Sequence, residues 1–262
     1  MTTADPLRTL ETYYDTAPRA SATTEEVGPF TLFLRSDPDG WPYYARPRLG
    51  LPAESTVTAD DVRRVRERQR EVAAPETFEW VHETTPSLLA AALTAGLHVE
   101  ECPLLVLAEP RPPSGQETAR VSVLDADSDL VPGAIAAVSA GFAGTDEVAV
   151  PSETAVARRR RMVAAGLVTL AVALDADGTV VGGGSHGPRG DTTELAGIAV
   201  LPRARKRGVG EALTRALVDD ARRRGVGTVF LSAQDDAVAR VYERVGFRRV
   251  GTACLGSPGD GA

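Results

Sequence analysis

Apolar and polar positions alternate along several segments in the second half of the chain, and this pattern predicts β-strands. Between these segments, apolar residues three and four positions apart predict helices. The predicted order is β-α-α-β-β-β-α-β-α-β, with a glycine-rich loop that extends to Gly190 before the fourth strand. The predicted strands are Ala119–Leu124, Leu167–Leu174, Val180–Ser185, Thr192–Val200, Val226–Ala233 and Phe247–Cys254, and the predicted helices are Leu130–Phe142, Ser152–Ala165, Gly208–Arg224 and Ala237–Val245.

The first half of the chain has a mixed pattern of the same kind, although the pairing of its strands does not follow from the pattern. Turn residues at Asp37–Gly40 predict a hairpin, and Asp60 is the predicted cap of the second helix. The predicted helices are Pro6–Asp15, Ala59–Val72 and Ser87–Ala95, and the predicted strands are Phe30–Arg35, Trp41–Arg46, Phe78–Val81 and Val99–Leu107.

A break in composition separates the two halves. Glu109–Gln116 contains three prolines and a glycine, which can continue neither a helix nor a central strand. We therefore predict a lobe at 1–109, a linker at 110–118 and a second lobe at 119–262. A length of 262 residues fits two lobes of ordinary size, and both are predicted to be α/β.

Composition narrows the function classes. The net charge of −7 disfavours a general nucleic-acid binder. No apolar run is long enough for a membrane helix, and the N-terminus lacks the pattern of a signal peptide. Cys102 and Cys254 follow neither a metal-binding nor a redox spacing. We therefore expect a cytoplasmic protein without a metal site and without a nucleic-acid or membrane partner.

The segment with the clearest chemistry runs from Arg205 to Gly210. It follows an apolar strand and opens an amphipathic helix. A helix start offers free backbone N–H groups and a positive dipole end, and glycine lets an anion approach the backbone. The loop alone equally fits a solvated basic turn. Its glycine spacing is neither that of a dinucleotide fingerprint nor that of a Walker A loop.

The order of motifs adds a family resemblance. Arg205-x-x-Gly208-x-Gly210 after a strand resembles the coenzyme A loop of the GCN5-related N-acetyltransferase (GNAT) superfamily. Downstream, the helix that carries Tyr242, followed by Gly246-Phe247, resembles the second signature of that family. The resemblance covers about 119–255. It implies a mixed, mostly antiparallel sheet flanked by helices. The first lobe is similar to a degenerate GNAT half, as in tandem GNAT proteins of the mycothiol synthase type.

The resemblance implies a site for acetyl-CoA. Backbone N–H groups of the loop would bind the pyrophosphate, with help from the Arg205 and Lys206 side chains, and the strand before the loop would pair with the pantetheine arm. Asp235 and Asp236 stand where the family often has Asn facing the cofactor; Asp can cap the helix but cannot donate an amide hydrogen bond. The implied cofactor-binding residues are Ile198, Ala199, Val200, Arg205, Lys206, Arg207, Gly208, Val209, Gly210 and Asp235.

Two residues are candidates for the chemistry. The resemblance assigns to Tyr242 the protonation of the leaving thiolate, whereas the alternative is a core aromatic residue. Glu194, at the head of the strand, is the candidate general base, and it equally fits a surface position. His186, in the predicted glycine-rich loop, is a weaker alternative base.

The predicted function is therefore transfer of an acetyl or short acyl group from acyl-CoA to a small-molecule amine, by direct attack in a ternary complex. A catalytically silent acyl-CoA-binding module is the alternative, and a hydroxyl or protein acceptor stays open. The Arg158–Arg161 run fits a solvated helix face better than recognition of an acidic acceptor. Four aromatic residues of the first lobe are candidates for lining a cleft or for the core: Trp41, Tyr43, Tyr44 and Trp80.

Overall fold

The computed structural model describes residues 5–37, 40–52, 54–112 and 119–259. Its helices are α1 Pro6–Thr16, α2 Ala59–Glu71, α3 Ser87–Thr94, α4 Val131–Ala143, α5 Glu153–Ala164, α6 Val209–Arg223 and α7 Asp236–Val245. Its strands are β1 Ala22–Val27, β2 Phe30–Arg35, β3 Ala45–Pro47, β4 Phe78–Val81, β5 Leu97–Leu107, β6 Arg120–Leu124, β7 Thr169–Leu174, β8 Val180–Arg189, β9 Thr192–Val200, β10 Thr228–Ser232 and β11 Phe247–Pro258. No helix among these residues is both long enough and apolar enough to cross a membrane.

The chain divides into two compact units. The first consists of Met1–Leu104, Ser232–Asp235 and Arg249–Ala262, and the second of Leu105–Leu231 and Asp236–Arg248. This grouping assigns most of β11 to the first unit, whereas the linker-based prediction places it in the second lobe. The lobe boundaries at 109 and 119 remain a prediction.

The first unit is a mixed sheet with the strand order β1-β2-β3-β4-β11-β5. Neighbouring strands are antiparallel at β1–β2, β2–β3 and β4–β11, and parallel at β3–β4, where α2 is the crossover. One core cluster joins the sheet to α2 and α3 through residues such as Phe30, Trp80 and Leu88. This matches the predicted α/β class.

Two details of the first unit correct the prediction. The cap of α2 is Thr58, not Asp60: Thr58 accepts from the Asp61 N–H at 3.2 Å, and its own N–H donates to the Asp61 carboxylate at 3.0 Å. This reciprocal pair is a capping box, which satisfies the free donors better than Asp60 could from inside the helix. The returning strand of the hairpin is short, Ala45–Pro47. The predicted turn at Asp37–Gly40 lies partly outside the described residues.

The second unit has the strand order β10-β9-β8-β7-β6. Its pairs are antiparallel except β9–β10, which run parallel with α6 as the crossover. A Cβ built on Gly183 would lie 3.0 Å from Val138 of α4, and one on Gly184 would lie 3.2 Å from Leu217 of α6. Because successive residues of a strand face opposite sides, α4 and α6 cover opposite faces of this sheet.

The predicted strand Val180–Ser185 is confirmed, and the chain after it continues as strand to Arg189 instead of forming the predicted loop. β8 continues to Arg189, and Gly182 and Gly183 pair with Val200 and Ala199. A Cβ on Gly182 would lie 2.8 Å from the Ala199 carbonyl oxygen. These glycines therefore allow close packing of helices on the sheet rather than a turn.

Candidate functional site

A β-bulge shapes the strand that leads to the proposed loop. Two β9 residues, Gly197 and Ile198, stand opposite one residue of β8, and Gly197 has φ +64°. A bulge bends its strand and increases the local twist. On its other side, β9 pairs with β10 only from Thr192 to Glu194 in the residues that the structure describes. The two parallel strands therefore diverge after Glu194, and the β9 edge is free of β10 toward Val200.

Helix α6 begins beside this open edge. Gly208 is its N-cap with φ +78°, a left-handed conformation that favours glycine. No atom lies within 4 Å of a Cβ built on Gly208, and one on Gly210 would meet only the Val200 side chain, at 3.9 Å. Lys206 also has a positive φ, +59°. The first turn of α6 thus presents its backbone toward free space.

A pocket of about 340 Å³ lies at this helix start. Its polar side is the loop and the first turn of α6, and its apolar side comes from β9 and α7. Seven of the ten predicted cofactor residues line it. The lining residues are Ile198, Val200, Ala204, Arg205, Lys206, Gly208, Val209, Gly210, Glu211, Val238, Val241, Tyr242 and Arg244.

Arg205 holds the loop in place through its side chain. Its Nε donates to the Val200 carbonyl oxygen at 3.0 Å, and its Nη2 donates to the Gly141 carbonyl oxygen at 2.6 Å. The bonds join the loop to the end of β9 and to α4. The guanidinium is therefore engaged with protein carbonyls, while Lys206 and Arg207 are exposed at the rim.

Tyr242 lies in the apolar wall of the pocket. Its side chain is buried, and its ring packs edge to face on Phe247. Burial raises the pKa of Tyr242 to about 12, so the phenol keeps its proton at neutral pH. The structure gives the hydroxyl no hydrogen-bond partner among the described residues.

Glu194 marks the point at which β9 and β10 separate. It pairs with Gly187 of β8 and with Phe230 of β10. Its neighbour Thr193 faces α6, because Thr193 contacts His186, which in turn contacts Asp220 of α6. By strand alternation Glu194 faces the opposite side, the side of α4. Its side chain is half-buried.

His186 is buried inside β8 and not in a surface loop, so it has no access to a substrate in this arrangement. Its Nε2 lies 3.0 Å from Asp220, and its Nδ1 lies 3.1 Å from the Thr193 hydroxyl. Burial lowers the pKa of His186, and bonds to His186 and Arg224 help to keep the pKa of Asp220 low. Nε2 therefore carries the proton that Asp220 accepts, and Nδ1 accepts from Thr193.

Five residues that line this pocket were not among the predicted site residues: Ala204, Glu211, Val238, Val241 and Arg244. Val238 and Val241 line it beside Tyr242, at the spacing of one helix face, which is the signal that could have identified them. Glu211 is buried in the first turn of α6, where its carboxylate accepts from Arg215 at 2.8 Å and lies 3.6 Å from Arg244. Those arginines offset the negative charge of Glu211 beside the helix start.

Asp235 is exposed just before α7 and belongs by its contacts to the first unit. Its predicted cofactor role therefore stays a prediction. Among the described residues, no group of three His, Cys, Asp or Glu side chains is arranged to hold a metal.

The second unit is therefore an α/β fold in which a helix with glycine in its first turn begins beside two parallel strands that diverge. Residues 146–247 match the model of the acetyltransferase (GNAT) family. The match spans the loop, α6, α7 and Tyr242. It confirms the resemblance that the two sequence motifs predicted.

Solved structures share the fold over most of the chain. A GCN5-related N-acetyltransferase from Kribbella flavida has a TM-score of 0.68 at 19% identity, covering 98% of this chain and 97% of that chain. A GCN5-related N-acetyltransferase from Sphaerobacter thermophilus has a TM-score of 0.53 at 20% identity, covering 72% of this chain and 62% of that chain. A tandem GNAT protein from the clavulanic acid biosynthesis pathway has a TM-score of 0.56 at 16% identity, covering 87% of this chain and 77% of that chain. At these identities the likeness confirms the predicted fold alone. No curated protein matches the sequence.

Proposed function

We propose that the protein is an N-acyltransferase that moves an acetyl or short acyl group from acyl-CoA to a small-molecule amine. One observation carries the proposal: the pocket at the start of α6 is lined by Ile198 and Val200, from the part of β9 that does not pair with β10, and Tyr242 lies in its wall. The family match of residues 146–247 supports acyl transfer as the general class.

The residues present fit a coenzyme A pyrophosphate. The space around Gly208 and Gly210 is what a side chain would fill, and backbone N–H groups at the helix start suit an anion. Lys206 and Arg207 add positive charge at the rim, and Arg205 positions the loop through Val200 and Gly141. The free β9 edge, including Ile198 and Ala199, offers backbone groups to an extended pantetheine arm.

Bound acetyl-CoA would supply the activated thioester, and side chains of the protein would accept the proton of the amine and stabilise the leaving thiolate. Glu194 accepts the proton that the amine loses when its nitrogen bonds to the acyl carbon and the carbon–sulfur bond breaks. Tyr242 donates a hydrogen bond to the departing sulfur. With a pKa near 12, Tyr242 is a weaker acid than a thiol of pKa about 8.5, so it stabilises the thiolate chiefly as a hydrogen-bond donor.

Calorimetry with acetyl-CoA tests the proposal. Wild type should bind, and micromolar affinity would correspond to about −8 kcal/mol. Gly208→Glu should abolish binding, because it adds a carboxylate at the anion site. A glutamate at the N-terminus of α6 is favourable for the helix itself, so the variant should fold.

Gly225→Glu is the matched control. Gly225 has φ +79° and open space around its Cβ position, like Gly208, but it follows the opposite end of α6. Both substitutions carry the same backbone strain, of about 1 kcal/mol. Loss of binding in both variants, or no binding by wild type, would contradict the proposed site.

A further inference from the structure

Helix α5 carries four consecutive arginines, and two of them flank its inward face. Val156 and Val163 pack on the core cluster formed by β6, β7 and α4. At 100° per residue, Arg159 and Arg160 lie to either side of the line that joins those valines. Arg161 points away and is exposed. The inward pair is therefore not part of a solvated face.

The two inward arginines differ in their partners. Arg160 donates to the carbonyl oxygens of Ala126 at 2.9 Å and Ser128 at 3.2 Å. Arg159 is half-buried and has no hydrogen bond or ion pair within the part of the chain that the structure describes. Burial and the adjacent Arg158 lower the pKa of Arg159. A guanidinium removed from water without an acceptor is costly, so this position calls for an anion.

The nearby protein acids do not supply that anion. The loop after β6, which binds Arg160, carries three aspartates, and all of them are exposed. None forms an ion pair with an α5 arginine in the described ranges. These aspartates are Asp125, Asp127 and Asp129.

Arg159 lies on the same face of the sheet as Glu194. The cluster under α5 includes Val131 and Ala134 of α4, so α5 covers the α4 side. Glu194 faces that side as well, as the position of Thr193 shows. The pocket wall made by α6 and α7 is on the other face.

Arg159 and Glu194 also belong to the same end of the sheet. Helix α5 leads directly into the start of β7, where Thr169 pairs with His186. Glu194 pairs with Gly187, the next residue of β8. β7 and β9 are two strand spacings apart, which is about 10 Å.

We propose that the amine acceptor carries an anionic group, a carboxylate or a phosphate, and that Arg159 binds this group while the amine lies at Glu194. The inference rests on the proposed acyl transfer and names its substrate class.

The test compares amines that differ only in charge and length. Turnover with acetyl-CoA is measured for ω-amino carboxylates of increasing chain length, for their methyl esters, which lack the carboxylate charge, and for aminoalkyl phosphates. Wild type should prefer an anionic amine over its uncharged counterpart by about ten- to a hundredfold in kcat/KM, the range of a hydrogen bond to a charged group. The carboxylate and phosphate series show which anion is bound.

Arg159→Gln should reduce that preference to about onefold, and Arg161→Gln, on the exposed face, should retain it. A second measurement excludes a merely structural effect: Arg159→Gln should unfold at the same or a higher temperature than wild type, because it removes an unpartnered charge. A lower unfolding temperature, or an unchanged preference, would overturn the proposal.

Calorimetric binding of acetyl-CoA to the same variants separates the two proposals. Normal binding by wild type without any preference for anionic amines overturns the acceptor assignment alone. Absence of acetyl-CoA binding overturns the proposed function and the acceptor assignment with it.

Discussion

The ring of Tyr242 meets the ring of Phe247 edge to face, with centroids 6.2 Å apart and planes at 64°. Phe247 therefore orients the phenol, while the hydroxyl has no hydrogen-bond partner among the residues that the structure describes. Removing the hydroxyl should leave this packing unchanged. Chemistry and stability can thus be separated at this position.

Tyr242→Phe should lower kcat by about a hundredfold or more, the scale of losing one hydrogen-bond donor to a developing negative charge. Its affinity for acetyl-CoA and its unfolding temperature should stay at wild-type values. Steady-state kinetics and calorimetry check both expectations. Phe247→Leu is the matched control, since it loses the ring contact but keeps the hydroxyl. Unchanged turnover in Tyr242→Phe would show that Tyr242 takes no part in the chemistry, whereas acetyl-CoA binding without turnover by wild type would favour a silent acyl-CoA-binding module.

Arg205→Gln should weaken acetyl-CoA binding about tenfold, because it removes the bonds that fix the loop to Val200 and Gly141. The free energy of unfolding should fall by about 1–3 kcal/mol. Arg203→Gln breaks only a surface pair with Asp146, at 3.4 Å, and should change stability by less than about 1 kcal/mol. Equal effects of the two substitutions would show that Arg205 has no special role in the loop.

His186 should make the protein sensitive to mild acid. Its folded-state pKa is lowered, so below its unfolded value of about 6.5 the unfolded chain takes up a proton that the folded chain resists. Stability therefore falls as pH drops through that window. His186→Gln should be less stable than wild type at pH 8, and its disadvantage should shrink at pH 5. Urea unfolding at both pH values measures this; parallel curves would contradict it.

Glu79 should act in the opposite direction. Burial raises its pKa to about 7, against the attraction of Arg46 and a hydrogen bond from Tyr44. Between pH 4.5 and 7 the folded state holds a proton that the unfolded chain has lost, so stability declines as pH rises through this range. Glu79→Gln should raise the free energy of unfolding at pH 8 by about 1–3 kcal/mol and change it little at pH 4. Equal effects at both pH values would exclude this titration.

The pattern of apolar, polar and turn residues predicted the bounds of some strands, but it did not predict other features of the fold. The bounds of β2, β4 and β9 agree with the predicted ones. The continuation of β8 from His186 to Arg189 was predicted as part of a glycine-rich loop, because glycine and proline in this stretch are typical of turns. β1 was not predicted, because its six residues are largely polar.

The sequence also could not decide which aromatic residues are buried, nor which arginines of α5 have partners. Trp80 is in the core, Tyr44 is buried, and Trp41 is 60% exposed. Local motifs predicted the loop and Tyr242. The difference between Arg159 and Arg160 could not be predicted, because the carbonyl oxygens that accept from Arg160 are more than thirty residues away in the sequence.

The pairing of β11 with β4 has a consequence for synthesis. Ala253–Gly256 align with Phe78–Val81, so strands about 170 residues apart must meet. Domains usually fold in order as they leave the ribosome. Here the first unit has to wait until β11 has been translated, and until then β4 has an unpaired edge open to association. A ribosome stalled between α6 and β11 would hold a nascent chain that is vulnerable to aggregation and to proteases.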